Sequence, residues 1–259
     1  MTTVPKCAKM VLKYNLQFKF QFKKEGCFLA KRYDSRAAKM KIMEACVPLF
    51  LEKGYYDTTI KDILTAANVA HSSFFNIFPT KDALLLEYVK YMFQNQFDMA
   101  NQFLGDKAFP ALIYAIETSV QLAVTEMKET LRSIYVEAYS AEGSLNYIIH
   151  HTAIEVQKLF GQYFPEANSE SDFYERVIGS SGMMRGYMVI PCDFYFTLEK
   201  KIQRFLEMSL TSYRVPLEEQ KRAISMVLQM DLKKIAQDAI QLLTIKLRSH
   251  FTVDPTIEY

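Results

Sequence analysis

The chain has 259 residues, 50% of them hydrophobic and 23% charged, with 8 Gly and 8 Pro. That composition excludes a disordered tail protein, a collagen-like fibre and a low-complexity array, and the length suits one large globular domain or two small ones of roughly 150 residues each. The net charge of +2 is unevenly laid out: residues 1 to 41 hold eleven Lys or Arg against Glu25 and Asp34, a balance of +9, while everything after them sums to −7.

In chain order, residues 1 to 34 form a basic N-terminal extension. Clustered cations release counterions when they meet phosphates, so a polyanionic partner is one reading of this charge, and a solubilising tail is the other. Within it Leu16, Phe18, Phe20 and Phe22 alternate with Gln17, Lys19, Gln21 and Lys23, the period of a strand with one apolar face. Three forms stay open for it: a flexible arm, a strand or helix docked on the body or on a second subunit, and a dispensable leader. No apolar core followed by a cleavage site marks a secretory signal, so a cytoplasmic location is expected.

From Ser35, expected as an N-cap, the pattern turns helical: Ala38, Ile42, Ala45, Leu49 and Phe50 share a face, and Gly54 suits the left-handed cap at the far end. Pro48 lies inside and is expected to kink the last turn. Thr59 with Asp62 makes a capping box that opens a short helix with Ile60, Ile63, Leu64 and Ala67 on its apolar face. Asn68, one of the few side chains that tolerate the left-handed region, closes it. Two helical turns fit Ala70 to Asn76, and Pro79 with Thr80 starts a helix running from Lys81 to about Phe103.

Further helices are predicted near 111–125, 127–141, 144–163, 171–190, 197–213 and 217–249, the last with a stripe from Ile224 through Leu228, Leu232 and Ile235 to Leu243. The longest run without charge, Ile63 to Thr80, contains Asn68, Ser72, Ser73, Asn76 and Pro79, and so cannot be a membrane span of about 20 apolar residues. Cys7, Cys27, Cys46 and Cys192 are far apart and read as reduced, mostly packed thiols.

The segment Thr59 to Phe78 is two short helices joined by a tight turn and braced by a longer one, the arrangement of a helix-turn-helix whose second helix enters the DNA major groove. Phe74 and Phe78 are spaced to anchor that helix, leaving His71, Ser72, Ser73 and Asn76 outside, with donors and acceptors for base edges and phosphates. Phe75 either stacks on sugar or a thymine methyl, or packs against the first helix. With His at 71, 150, 151 and 250 scattered, no catalytic set stands out, so no enzyme activity and no cofactor are expected. His151 and Glu155 lie four apart, a pair expected to form a salt bridge, since two ligands make no metal site.

The run KIMEACVPLFLEKGYYDTTIKDILTAANVAHSSFFNIFPTKDALL resembles the DNA-binding domain of the TetR family of transcriptional regulators over about 50 residues. The matching positions are Phe50 to Tyr55, Thr58 to Ile63, Ala67 to Val69, and Phe78 to Leu84. The resemblance implies a homodimer that presents one helix-turn-helix per subunit to a pseudo-palindromic operator, a repressor released by a small-molecule effector. It implies phosphate contacts from Thr59, Lys61, Thr80 and Lys81. Phe75 and Ile77 stand where family members commonly carry polar aromatic or imidazole groups, so affinity is expected to lean more on Lys39, Lys41 and the basic arm.

The expected architecture is all-α: a three-helix helix-turn-helix domain over 35–80 joined to a larger helical effector-binding and dimerisation domain over 81–250, with a tail at 251–259. Pocket nominees are Tyr135, Tyr139, His151, Met184 and Tyr187. Gly179, Gly182 and Gly186 share one helical face and either let a second subunit approach or line a pocket in a helix that bends. A protein-binding adaptor or all-α enzyme that keeps the corner without reading DNA is the competing function.

Overall fold

The computed structural model describes residues 29–93, 96–164 and 170–251. Among them are twelve α-helices and no strand: α1 (Leu29–Asp57), α2 (Ile60–Ala67), α3 (His71–Ile77), α4 (Lys81–Phe93), α5 (Gln96–Leu104), α6 (Pro110–Met127), α7 (Glu129–Ala138), α8 (Glu142–Phe160), α9 (Glu170–Val189), α10 (Leu198–Ser212), α11 (Leu217–Leu228) and α12 (Leu232–Phe251). The all-α expectation holds. The alternating segment at residues 16–23, Cys7 and Cys27 lie outside the described residues.

Helix α1 runs through Ser35, which is therefore an interior helical residue and no cap. Its buried seam is Ile42, Met43, Cys46, Val47 and Phe50, displaced from the expected face because α1 packs on the short helices on one side and on α7 and α12 on the other. Pro48 does not break it. The interruption falls at Gly54, at φ 80 and ψ 178, a combination reserved for glycine. A Cβ there would lie 2.7 Å from the Ser133 hydroxyl, so glycine is required both by the backbone and by the close approach of α7.

Helix α6 is the axis of the body. It is apolar nearly all round, with Leu112, Ala115 and Leu122 fully buried, and such a helix is stable only when surrounded. Its neighbours are α5, α7, α8, α9, α10, α11 and α12. The helix expected over 81–103 is two, α4 and α5. The one expected over 217–249 is also two, because Asp231 accepts the Lys234 N–H at 3.0 Å and starts α12 with a new cap. The apolar stripe from Ile224 to Leu243 thus continues across a break, since α11 and α12 both pack on α6. Among the described residues no helix is long and apolar enough to cross a membrane.

A buried ion pair ties α10 to α6. Lys201, with no exposed side-chain surface, meets Glu126 at 2.6 Å and the Ile190 carbonyl at 2.5 Å. Glu126 also takes the Cys192 N–H at 2.9 Å and Arg132 at 3.1 Å. Burial pushes the Glu126 carboxyl up, but these donors outweigh it and hold it below its usual range.

Candidate nucleic-acid interface

Helix α2 opens as the sequence dictates. The Thr59 hydroxyl accepts from the Asp62 N–H at 3.1 Å, and the Asp62 carboxylate accepts the Thr59 N–H at 3.0 Å and its hydroxyl at 2.8 Å. Thr59 thus spends its own donors on its cap. The Thr59 N–H and hydroxyl bonds and Lys53, at 3.3 Å, hold the Asp62 carboxyl below the usual range. Asn68 sits at φ 50 and ψ 51, and its N–H and that of Val69 return to the last carbonyls of α2, which closes the turn.

Helix α3 follows with Phe74 buried and Phe78 buried just beyond its end, their rings 5.8 Å apart. These two fix its inner face against α1. Its outer face carries His71, Ser72, Phe75 and Asn76, all exposed, with Ser73 half-buried at the edge. Phe75 is 38% exposed, and its ring lies 4.6 Å from that of His71, one turn earlier. It faces outward, so the face combines a tilted aromatic pair, with ring planes 40° apart, with three small hydrogen-bonding groups.

At the start of α4 the Thr80 hydroxyl oxygen caps the Ala83 N–H at 3.1 Å, which leaves its proton free for a phosphate. Lys61 is exposed on α2. Lys39 forms an ion pair with Glu87 at 2.5 Å and lies over the Phe78 ring, so it braces the back of α3. Lys81 turns inward as well. Its ammonium donates to the Tyr55 carbonyl at 2.8 Å and the Thr58 carbonyl at 3.1 Å and lies 4.1 Å from the Tyr55 ring centre. Burial lowers its pKa. Of the ten residues nominated for DNA, eight stand on or beside the outer surface and two act first as struts.

The strut is continued into the body. Tyr55 N–H donates to Ser133 at 3.0 Å, Thr130 donates to the Leu51 carbonyl at 3.0 Å, and Tyr56 donates to Glu137 at 2.8 Å, so α7 grips the end of α1. No sequence signal marks these contacts, because the partners lie about eighty positions apart.

Residues 42–88 match the family model described as "Bacterial regulatory proteins, tetR family". The matched stretch runs from Ile42 in α1 through α2 and α3 to Tyr88 in α4, which is the helix-turn-helix and its brace. A stretch of 56 residues is 34% identical to the uncharacterized HTH-type transcriptional regulator YuxN of Bacillus subtilis (strain 168), which amounts to 22% of this chain and 19% of that protein's length. The fold resembles that of RolR, solved in complex with its ligand resorcinol, with a TM-score of 0.56 at 15% identity, covering 78% of this chain and 97% of that one. A gamma-butyrolactone receptor, an ArpA-like protein, aligns over 86% of this chain and all of its own at 13% identity, with a TM-score of 0.37.

Between the helix-turn-helix and the body lies a cavity of about 70 Å³. Its walls come from α1, α4, α7 and α12, with Phe50, Val89, Ala138 and Leu243 among them, and no charged side chain lines it. Tyr135 and Tyr139, nominated from the sequence, are part of the wall. His151, Met184 and Tyr187 are not brought there: His151 stacks on Tyr147, Met184 is buried elsewhere in the core, and Tyr187 stacks on Phe196. Glu155 pairs with Lys158 at 2.7 Å in place of the expected His151. Among the described residues no group of three or more His, Cys, Asp or Glu is placed to hold a metal.

Proposed function

We propose that the protein is a transcriptional regulator that binds a pseudo-palindromic DNA operator as a homodimer, acting as a repressor that a small-molecule effector releases. The observation that carries this is the outward face of α3, with His71, Ser72 and Asn76 exposed on a helix whose other side is locked by Phe74 and Phe78. A rigid helix with small polar groups on its free side is what a major groove accepts. The division into a reading head over 35–80 and an effector-binding and dimerisation body over 81–250 is part of this proposal, with α1 reaching back to Leu29.

Dimerisation is assigned to α9. Gly179, Gly182 and Gly186 are exposed, a Cβ on any of them would meet nothing within 4 Å, and Ile178 and Val189 on the same helix are exposed apolar residues. That open surface favours close approach of a second subunit over the pocket-lining alternative. An effector in the body accords with the RolR complex, which holds resorcinol in a related fold. The grip of α7 on α1 gives such a ligand a route to the reading head.

The test is fluorescence anisotropy of the protein with duplexes from the regions flanking its gene, across a series of salt concentrations. Sequence-selective, salt-sensitive binding is expected, and Asn76→Ala should weaken the preferred site by about 1–3 kcal/mol relative to unrelated duplex. Absence of selective binding to any flanking duplex would favour the adaptor reading.

A further inference from the structure

Helix α3 carries neither Lys nor Arg. Those are the side chains that most often read guanine, through paired hydrogen bonds to its O6 and N7. Two cations that flank the head are committed within the protein: Lys39 to Glu87 and the Phe78 ring, Lys81 to the Tyr55 and Thr58 carbonyls. Lys61 is exposed, but on α2, the helix that crosses the phosphate backbone in a helix-turn-helix. Among the exposed polar side chains of α3, His71 and Ser72 can each make a single hydrogen bond to a base edge. Asn76 alone offers an amide whose paired donor and acceptor fit adenine at N7 and N6.

Phe75 adds an apolar surface to the same face. Its ring is braced from two sides, with its centre 4.6 Å from that of the His71 ring and 5.3 Å from that of the buried Phe74 ring. It has no hydroxyl, so a polar base edge pressed against it loses water and gains no hydrogen bond. Cytosine would leave its N4 donor unpaired and either purine its N7 acceptor, each at the cost of a stranded polar group. Thymine alone presents an apolar group in the major groove, its 5-methyl. We propose that the operator half-site is dominated by A·T pairs, with Phe75, backed by His71, covering a thymine methyl and Asn76 reading an adenine. This deepens the reading of the protein as a DNA-binding regulator and rests on it.

The experiment selects the full chain against a pool of randomised duplexes and sequences those it retains. The preferred half-site should be dominated by A·T pairs. Each thymine of the preferred duplex is then replaced in turn by deoxyuridine, which lacks only the 5-methyl, and affinity is read by fluorescence anisotropy. One thymine per half-site should stand out, its replacement weakening binding about fourfold, and about fifteenfold when both half-sites are changed. Cytosine at that position should weaken binding by at least about tenfold, because it also strands an amino group. Phe75→Ala should bind the thymine and deoxyuridine duplexes equally, whereas Phe75→Leu, still apolar, should keep a reduced difference between them. A half-site dominated by G·C pairs, or deoxyuridine tolerated at every position by the native chain, would overturn this assignment and leave the regulator reading standing. A methyl effect undiminished in Phe75→Ala would do the same. A retained pool without sequence preference would overturn both.

Discussion

Replacing Lys81 by Met separates two roles that the sequence cannot tell apart. As a phosphate contact, its loss would leave folding untouched and reduce the salt dependence of DNA binding by about one counterion. The structure instead gives its ammonium two carbonyls, at 2.8 and 3.1 Å, and an aromatic ring at 4.1 Å, all on the segment that follows Gly54. Hydrogen bonds to a charged group contribute about 1.5–3 kcal/mol each and the ring contact about 0.5–1 kcal/mol. Against this stands the cost of partly burying the charge, the same cause that lowers its pKa, so the net loss is set near the low end, at about 2 kcal/mol. For a chain of this size that lowers the melting temperature by about 4–8 °C. Differential scanning calorimetry reads the first quantity and anisotropy against salt the second. An unchanged melting temperature with a shallower salt slope would refute the strut and return Lys81 to the phosphates.

Four further outcomes follow from the same geometry. Gly54→Ala should destabilise by at least about 2 kcal/mol in chemical denaturation, since a positive φ alone costs about 1–2 kcal/mol and the Ser133 hydroxyl blocks the new methyl; a neutral result would mean α7 does not press on α1 as described. Asn68→Gly should be nearly neutral, whereas Asn68→Val should cost more than about 1 kcal/mol in the same assay, because only the second opposes the left-handed turn. Glu126→Ala should cost about 3–5 kcal/mol by stranding Lys201, and acid titration of the native chain should reveal the same carboxylate. Its folded pKa lies below the unfolded value, so its contribution is complete above about pH 5 and is lost as pH falls through the depressed value; a melting temperature whose fall in acid is the same in Glu126→Gln as in the native chain would contradict this. Deleting residues 1 to 33 should lower DNA affinity and flatten its salt dependence while leaving base preference intact, and an unchanged salt slope would reduce the basic extension to a passive tail.

Much of the reading head was legible in the residues because its signals are local. The capping box at Thr59 and Asp62, the left-handed Asn68 and the Phe74/Phe78 anchors each depend on neighbours within four positions, and all three stand where the spacing puts them. Locality also explains the misses. Ser35 looked like a cap because the apolar period starts there, yet a helix already under way has no need of one. The stripe from Ile224 to Leu243 kept its period across the Asp231 break because both helices face α6, and periodicity reports the buried face without reporting continuity.

The sequence by itself determined the helical class, the helix-turn-helix and the polar composition of its outer face, since each follows from propensities and spacings along one stretch of chain. Only the tertiary structure decided which cations face solvent and which brace the head. Lys39 and Lys81 read like any other basic residue until Glu87, Tyr55 and Thr58 are folded against them. The same holds for the cavity at the joint, whose walls come from α1, α4, α7 and α12, up to about two hundred positions apart. No pattern in the chain records such a meeting. It is fixed by how the buried faces of separate helices pack together, and by where that packing leaves a space unfilled.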